Sequence, residues 1–455
     1  MFSTQPFTID LLAFHDLDPE RYPFLLESVA SGTDQSRYDI LFAFPQEILS
    51  LNSDGKLSGA VSSYHDGFLS NLKAWYEQEA DVKPVANELP FCGGWFVFLG
   101  YELVKEIEPN LDLPVDNDMT TVAYAARCPA AIICDHQKKT LTLFAEDTYS
   151  HLVAELQADL GLLQTKGQHK RKSAILPELL AIDEEHGDQY CDAVKQIKSY
   201  IIEGDVFQVN LSRKWRATLR DDVSASDIYN NLRINNPAPF SGLVRLPEST
   251  VISSSPERLV AVKNNNIESR PIAGTRPRSG NAEEDQRLSS ELLSHPKEQA
   301  EHIMLIDLER NDLGRVCEPG TIHVDELMTL ESYAHVHHIV SNVKGSLRAG
   351  MSPADVIRAV FPGGTITGCP KVRCMEIIAE LEKTPRGAYT GSMGYISLDG
   401  SMDLNILIRT LIMKDREISF RTGAGIVYDS NAAKELEETR DKARGLLKAL
   451  AIKDA

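Results

Sequence analysis

Apolar positions change period several times along the C-terminal two-thirds of the chain, and each change marks an element. Tyr190, Val194, Ile197 and Ile201 recur at helical spacing, which predicts a helix that Gly204-Asp205 ends. From Val206 to Ser212 the period drops to two. Phe207, Val209 and Leu211 face one way and Gln208, Asn210 and Ser212 the other, as in a strand that buries its apolar side and offers Gln208 to a groove. Further β-like series run over Ser241–Arg245, Val251–Ser254 and Arg258–Val262, then over Gly394–Leu398, Met402–Ile408 and Glu417–Arg421. Helical stretches at Pro296–Leu313, Pro353–Ala359, Lys371–Leu381 and Ala432–Ala451 lie between and after them. Nearer the N-terminus, short alternating segments such as Ile40–Phe44, Gly94–Leu99 and Ala130–Cys134 are separated by turns. Strands and helices arrive in blocks more than in strict βαβ alternation, so the expected class is α+β.

This pattern divides the chain into a β-rich lobe at 1–165, a polar linker at 166–188 and a region at 189–455 that holds the candidate chemistry. The linker carries the one basic tract, His169-Lys170-Arg171-Lys172. A formal net charge of −19 otherwise argues against a nucleic-acid or anionic-membrane surface. The seven cysteines are odd in number, scattered and never spaced as CxxC, so they read as reduced thiols and not as a zinc site or a disulfide framework. No apolar run approaches the roughly 20 residues needed to span a bilayer. Met1 to Asp10 lacks the basic and apolar regions of a secretory signal, and a cytoplasmic enzyme is expected.

Two glutamate pairs, Glu298/Glu301 and Glu435/Glu438, change the picture most. Each is spaced three apart on a predicted helix. Like charges at that spacing cost about 0.2–0.5 kcal/mol per pair. They are either two solvated acidic faces or the two halves of a cation site. On the last helix Glu435, Glu438 and Lys442 form a polar stripe beside an apolar one at Leu436, Ala443, Leu447 and Leu450, the way a rigid site is mounted on a packed element.

Polar and glycine-bearing segments surround these helices in sequence: Ser254-Ser255-Pro256-Glu257-Arg258, Arg270 to Arg278, His337-His338, Phe361-Pro362-Gly363-Gly364-Thr365-Ile366-Thr367-Gly368-Cys369-Pro370-Lys371, Asp403 to Arg409, and Gly423-Ala424-Gly425. With these motifs in this order, the chain from about residue 185 to the C-terminus resembles the chorismate-utilising enzymes. The resemblance implies two stacked antiparallel β-sheets flanked by helices around a central cleft, and makes 189–455 the chorismate-binding catalytic region. It also implies Mg²⁺, which suits a dianionic substrate, in direct contact with Glu301 and Glu438 and reached through water by Glu298 and Glu435. Arg409 would hold the second substrate carboxylate as a bidentate fork, with Tyr389, the amides around Gly423 and Gly425, and the segment Ala273-Gly274-Thr275 completing the cradle, and Lys442 balancing charge. The lesser alternatives are that Gly423-Ala424-Gly425 is only a tight turn and Arg409 a partner of Asp403.

By the same resemblance Glu257 is the general acid that protonates the leaving ring hydroxyl, a role that needs a raised pKa, with His338 and Thr365 beside the ring. Gln208 stands where relatives that add water carry a lysine base, so a neutral residue there implies amination by ammonia, which needs no such activation. Among the aminating branches the loop Gly363 to Pro370 and the segment Phe91 to Glu102 look more like aminodeoxychorismate synthase component I, of para-aminobenzoate and folate biosynthesis, than like anthranilate synthase component I. Two features point the other way: Ala273, where many aminodeoxychorismate synthases carry a lysine nucleophile, and Leu25-Leu26-Glu27-Ser28, which resembles a tryptophan-binding segment and, with Arg37-Tyr38, makes Leu26, Glu27, Ser28, Arg37 and Tyr38 a candidate tryptophan site. The sequence shows no GxCxG nucleophile elbow, so ammonia is expected from a separate glutamine amidotransferase partner in a heterodimer.

Overall fold

The computed structural model describes every residue except 7–8, 31–36, 61–65, 81–88, 116–118, 167–176, 178, 221, 333–335 and 452–455. Among the described residues the strands form two antiparallel sheets, one of 12 strands and one of 11. In the first, the path runs from Phe2–Pro6 through Tyr38–Ala43, Phe24–Glu27, Phe240–Arg245, Thr250–Ser255, Thr410–Lys414 and Glu417–Ile426 to Gln208–Leu219 and Leu179–Glu184. The second runs from Ile272–Pro277 through Val336–Ser346, Asn266–Ser269, Arg258–Lys263, Met402–Asn405 and Ser392–Ser397 to Gly94–Leu99, Thr121–Cys128 and two short edge strands. Strands from before residue 165 and after residue 189 share both sheets.

The sheets stack through a core built from both of them, in which Phe24 lies flat on Phe96 with ring centroids 4.2 Å apart. Each outer face is covered by helices. Ala225–Asn235 and Ala432–Ala449 pack on the first sheet, and Phe68–Glu79, Pro296–Gly314 and Pro353–Val360 on the second. Burial on both faces explains strands such as Thr250–Ser255, where Val251 enters the inter-sheet core and Ile252 the helix-covered one. The expected α+β class and stacked antiparallel sheets are therefore observed.

Several expectations need correction. The basic tract at 169–172 lies outside the described residues, but part of the expected linker, Leu179–Glu184, is a strand paired with Gln208–Leu219. The strand expected at 206–212 starts at Gln208 and runs on to Leu219, and Phe207 is not on its buried face but 68% exposed. The run Met402–Ile408 is not one strand. It ends at Asn405, and the chain crosses to the other sheet before Thr410–Lys414. Gly423-Ala424-Gly425 is not a turn, because the strand continues through it to Ile426. The last helix spans Ala432–Ala449, capped by the Asn431 side chain, which accepts from Lys434 N at 3.2 Å. All seven cysteines are free thiols, and no described helix is long and apolar enough to cross a membrane.

Candidate active site

Two neighbouring crossings between the sheets build the centre of the site. Thr250–Ser255 belongs to the first sheet and Arg258–Lys263 to the second, so Pro256-Glu257 spans the gap. Met402–Asn405 and Thr410–Lys414 repeat the crossing in the opposite direction and leave Arg409 between them. The two crossings are tied together: Ile406 N donates to Glu257 O at 3.0 Å, and Ser254 N to Arg409 O at 3.1 Å. Arg409 sits at φ 53°, a left-handed conformation that a side-chain-bearing residue adopts at a cost.

Arg409 is buried with respect to its charge, which pulls its pKa down, and it makes no ion pair among the described residues. Its Nη1 donates to Asn236 Oδ1 at 3.3 Å. Asp403, the alternative partner, is taken by Arg258 at 3.0 Å. A desolvated guanidinium without a carboxylate is a standing site for an anion. Tyr389 lies within its electrostatic reach, with a phenol pushed up to about 12 by burial.

Glu257 is 5% exposed, and its pKa is raised to about 7, first by burial; Thr365 and Lys442 act the other way and the charge of Glu309 adds to the rise. His338 is driven down to about 4 by burial and then by the Arg409 charge, so its ring is neutral at pH 7. Its Nδ1 lies 2.9 Å from Thr275 Oγ1. Thr275 and His338 are register partners, and the bulge between Ala273 and Thr275 falls at Gly274. Gly274 has φ +56°, and a Cβ there would lie 2.8 Å from Glu298 Oε2, so both backbone and space require glycine. Ala273 is 6% exposed and pairs in register with Ile339.

One glutamate from each of two helices is connected to the strand Glu417–Ile426. Gln208 Nε2 donates to Glu301 Oε1 at 2.8 Å, and a Cβ on Gly425 would lie 2.3 Å from that nitrogen and 3.7 Å from the Glu301 oxygen. Gly423 O accepts from Lys442 Nζ at 3.0 Å, and Lys442 pairs with Glu438 at 2.8 Å. A Cβ on Gly423 would meet the Tyr389 hydroxyl at 2.7 Å and Asn210 Oδ1 at 2.9 Å. The glycines thus contribute room, not a turn. Glu298 pairs with Arg276 at 3.3 Å, and Glu435 is buried on the inner face of its helix.

Among the described residues no three His, Cys, Asp or Glu side chains converge as a preformed cage. Magnesium is usually held by one or two carboxylates with water and substrate oxygens. Glu301 beside Gly425, and Glu438 tied through Lys442 to Gly423, are oxygen donors of the kind that ion takes. Four buried side-chain atoms here, Gln208 Oε1, Asn210 Oδ1, Glu257 Oε1 and Thr365 Oγ1, have no protein hydrogen-bond partner. Buried polar atoms without a partner are rare in native proteins, and these four lie around one cleft.

Of the expected residues the structure links Gln208, Glu301 and Gly425, then Gly274 and Glu298, then Thr275 and His338, then Gly423, Tyr389, Lys442 and Glu438. Asn236 was not singled out beforehand, because an Asn-Asn-Pro run signals only a turn. The other candidate group lies elsewhere: Leu26, Glu27, Ser28, Arg37 and Tyr38 line a cavity of about 310 Å³ between the sheets, with Phe240, Met393 and Tyr395. Glu27 is held there by Tyr229 and Arg233, and Arg37 by Asp135.

This fold and cleft define a class that the comparisons identify. Residues 24–448 match the family of chorismate binding enzymes, and the chain belongs to it. It is 42% identical to aminodeoxychorismate synthase component 1 of Bacillus subtilis, over 84% of this chain and 83% of that protein. It is 39% identical to anthranilate synthase component 1 of Aquifex aeolicus, over 95% and 90%. The crystal structure of anthranilate synthase component I from Streptococcus pneumoniae superimposes with a TM-score of 0.79 at 32% identity, covering 91% of this chain and 93% of that one. The fold is thus that of anthranilate synthase component I, and the relatives divide between two activities.

Proposed function

We propose that the chain is a chorismate-aminating component I that makes 4-amino-4-deoxychorismate from chorismate and ammonia, in para-aminobenzoate and folate biosynthesis. The observation that carries amination is Gln208, a neutral amide bonded to Glu301 at the edge of the cleft where a water-adding enzyme needs a base. Arg409, with Tyr389, takes one substrate carboxylate. Glu301 and Glu438, with Glu298 and Glu435 behind them, would hold magnesium, which would supply positive charge against the other carboxylate. Glu301, oriented by its bond to Gln208, would offer its other oxygen to the ion, and Glu438 would exchange Lys442 for it. Glu257 holds its proton near pH 7 and delivers it to the departing ring hydroxyl as the ammonia nitrogen bonds to the ring, so that water leaves. Neutral His338, oriented by Thr275, and Thr365 border the ring without adding charge.

Anthranilate synthesis is the second reading. Ala273 favours it, since no lysine stands there to attack the ring, and ammonia ending at C2 in place of C4 gives the anthranilate precursor. The loop 363–370 and the segment 91–102 favour C4. The cavity beside Leu26 to Ser28 is proposed to accept tryptophan in either case. Ammonia is proposed to come from a glutamine amidotransferase subunit, so the chain alone should not turn over glutamine.

The test is incubation with chorismate, Mg²⁺ and ammonium at about pH 8.5, where more of the amine is free, with and without an aminodeoxychorismate lyase. Para-aminobenzoate formed only with the lyase supports the first reading; anthranilate and pyruvate without it assign the second.

A further inference from the structure

Two turns beyond Glu301, the same helix carries a carboxyl for which the proposed reaction has no use. Glu309 is 3% exposed and accepts from Ser269 Oγ at 2.6 Å. Asp312, the next turn on, is 2% exposed and paired with Lys371, whose Nζ also donates to Pro362 O at 2.9 Å. The lysine of this cluster is thereby committed to Asp312, and among the described residues no cation pairs with Glu309. Glu309 lies against the turn Gly364–Ile366: a Cβ on Gly364 would be 3.5 Å from Glu309 Oε1 and 3.2 Å from Leu308 Cβ. The next residue of that turn, Thr365, stands beside Glu257. One short turn therefore has a buried carboxyl at each of two successive residues.

Carboxyls so placed, with no cation between them, compete for protons, because ionising one in a poorly solvated site opposes ionising the other. We propose that Glu309 is a positioning residue for the general acid: it fixes the turn that presents Thr365, and its carboxylate keeps the proton on Glu257. The proposal rests on the reading of Glu257 as that acid. The charged groups that face the pair act in both directions, with the acids and burial raising and the lysines lowering. Burial raises Glu309 to about 7, and Asp312 adds to the rise while Lys371 opposes it; Glu309 in turn raises Glu257, against Lys442 from the last helix.

The experiment follows the carbonyl stretch of protonated carboxyls by infrared spectroscopy across a pH titration of wild type, Glu257→Gln and Glu309→Gln. Glutamine keeps the shape and the bond to Ser269 while removing the charge. In Glu309→Gln the band that belongs to Glu257 should titrate about one pH unit lower than in wild type, and the alkaline limb of chorismate consumption, at constant free ammonia, should move down with it. An unchanged midpoint overturns the proposal. If Glu309→Gln does not fold, Ser269→Ala serves: losing the donor leaves Glu309 more protonated, so the Glu257 band again moves to lower pH, and a fixed band overturns the idea. A wild type that consumes no chorismate with ammonia sinks the functional reading alone, because the infrared titration needs no turnover.

Discussion

Gln208 Nε2 donates to Glu301 Oε1 across 2.8 Å, which joins the first strand of the cleft to the helix bearing the first acidic pair. The bond orients a carboxylate expected to meet the metal, and partners of that kind typically contribute 10–100-fold in affinity (about that range). Gln208→Ala should weaken Mg²⁺ binding by roughly tenfold or more with little loss of thermal stability. Isothermal titration of Mg²⁺ in the presence of chorismate checks it, and unchanged affinity would remove Gln208 from the metal's surroundings.

Gly425 gives an independent route to the same bond. A methyl there would lie 2.3 Å from Gln208 Nε2, so Gly425→Ala must push the amide off Glu301. The expected result is the Mg²⁺ defect of Gln208→Ala, and combining the two substitutions should add little, because both remove one interaction. Full additivity would show that Gly425 acts elsewhere.

Arg409 is a half-buried, poorly solvated cation with Asn236 as its polar partner and no acid among the described residues. Arg409→Met should abolish measurable chorismate binding, a loss of at least about 100-fold for a charge-assisted fork, while the melting temperature holds or rises, because a poorly solvated charge without an acidic partner is removed. Arg409→Lys should not restore affinity, since an ammonium lacks the planar fork. A fall in melting temperature together with retained binding would make Arg409 structural.

How much of this was legible in the sequence depended on the range of the interaction. Local devices could be read directly: the αL glycine that ends the helix at Gly204 and the i,i+3 glutamates. The crossings that place Glu257 and Arg409 could not, because a strand that changes sheets keeps its apolar run. Leu404, Ile406 and Leu407 are buried straight through the crossing, so nothing in the pattern marks the break at Asn405. Gly423-Ala424-Gly425 suggested a turn on composition, yet its glycines are needed because Tyr389, Asn210 and Gln208 crowd that strand from outside it. Phe207 misled for a similar reason: alternation assigns a face but cannot say where the sheet's cover ends.

The site's titrating groups give stability opposite pH slopes. Glu257 is raised in the folded chain from 4.5 to about 7 by burial, so the folded state holds a proton that the unfolded chain gives up. Its contribution is full below pH 4.5 and is lost as pH rises through about 7. Relative to wild type, Glu257→Gln should be indifferent at pH 4 and more stable by about 3 kcal/mol at pH 8. His338, lowered from 6.5 to about 4, contributes stability above pH 6.5 that is lost as pH falls through about 4, so His338→Gln should flatten the acid side of the profile. Denaturant melts across that range read both slopes, and a Glu257→Gln difference independent of pH would contradict the raised pKa.

The cavity beside Leu26 to Ser28 tests whether the chain binds a ligand outside the cleft. It offers an aromatic surface from Tyr38, Phe240 and Tyr395 and a polar edge from Ser28, whose hydroxyl donates to Pro239 O at 3.0 Å. Its volume of about 310 Å³ falls in the range of small-molecule sites. Tryptophan should therefore give a saturable heat in isothermal titration. Ser28→Leu, which fills the cavity and removes the hydroxyl, should abolish that heat while chorismate turnover without tryptophan persists, because the cavity and the cleft have separate linings. No heat from the wild-type chain would remove the tryptophan reading and leave the cavity as packing between the sheets.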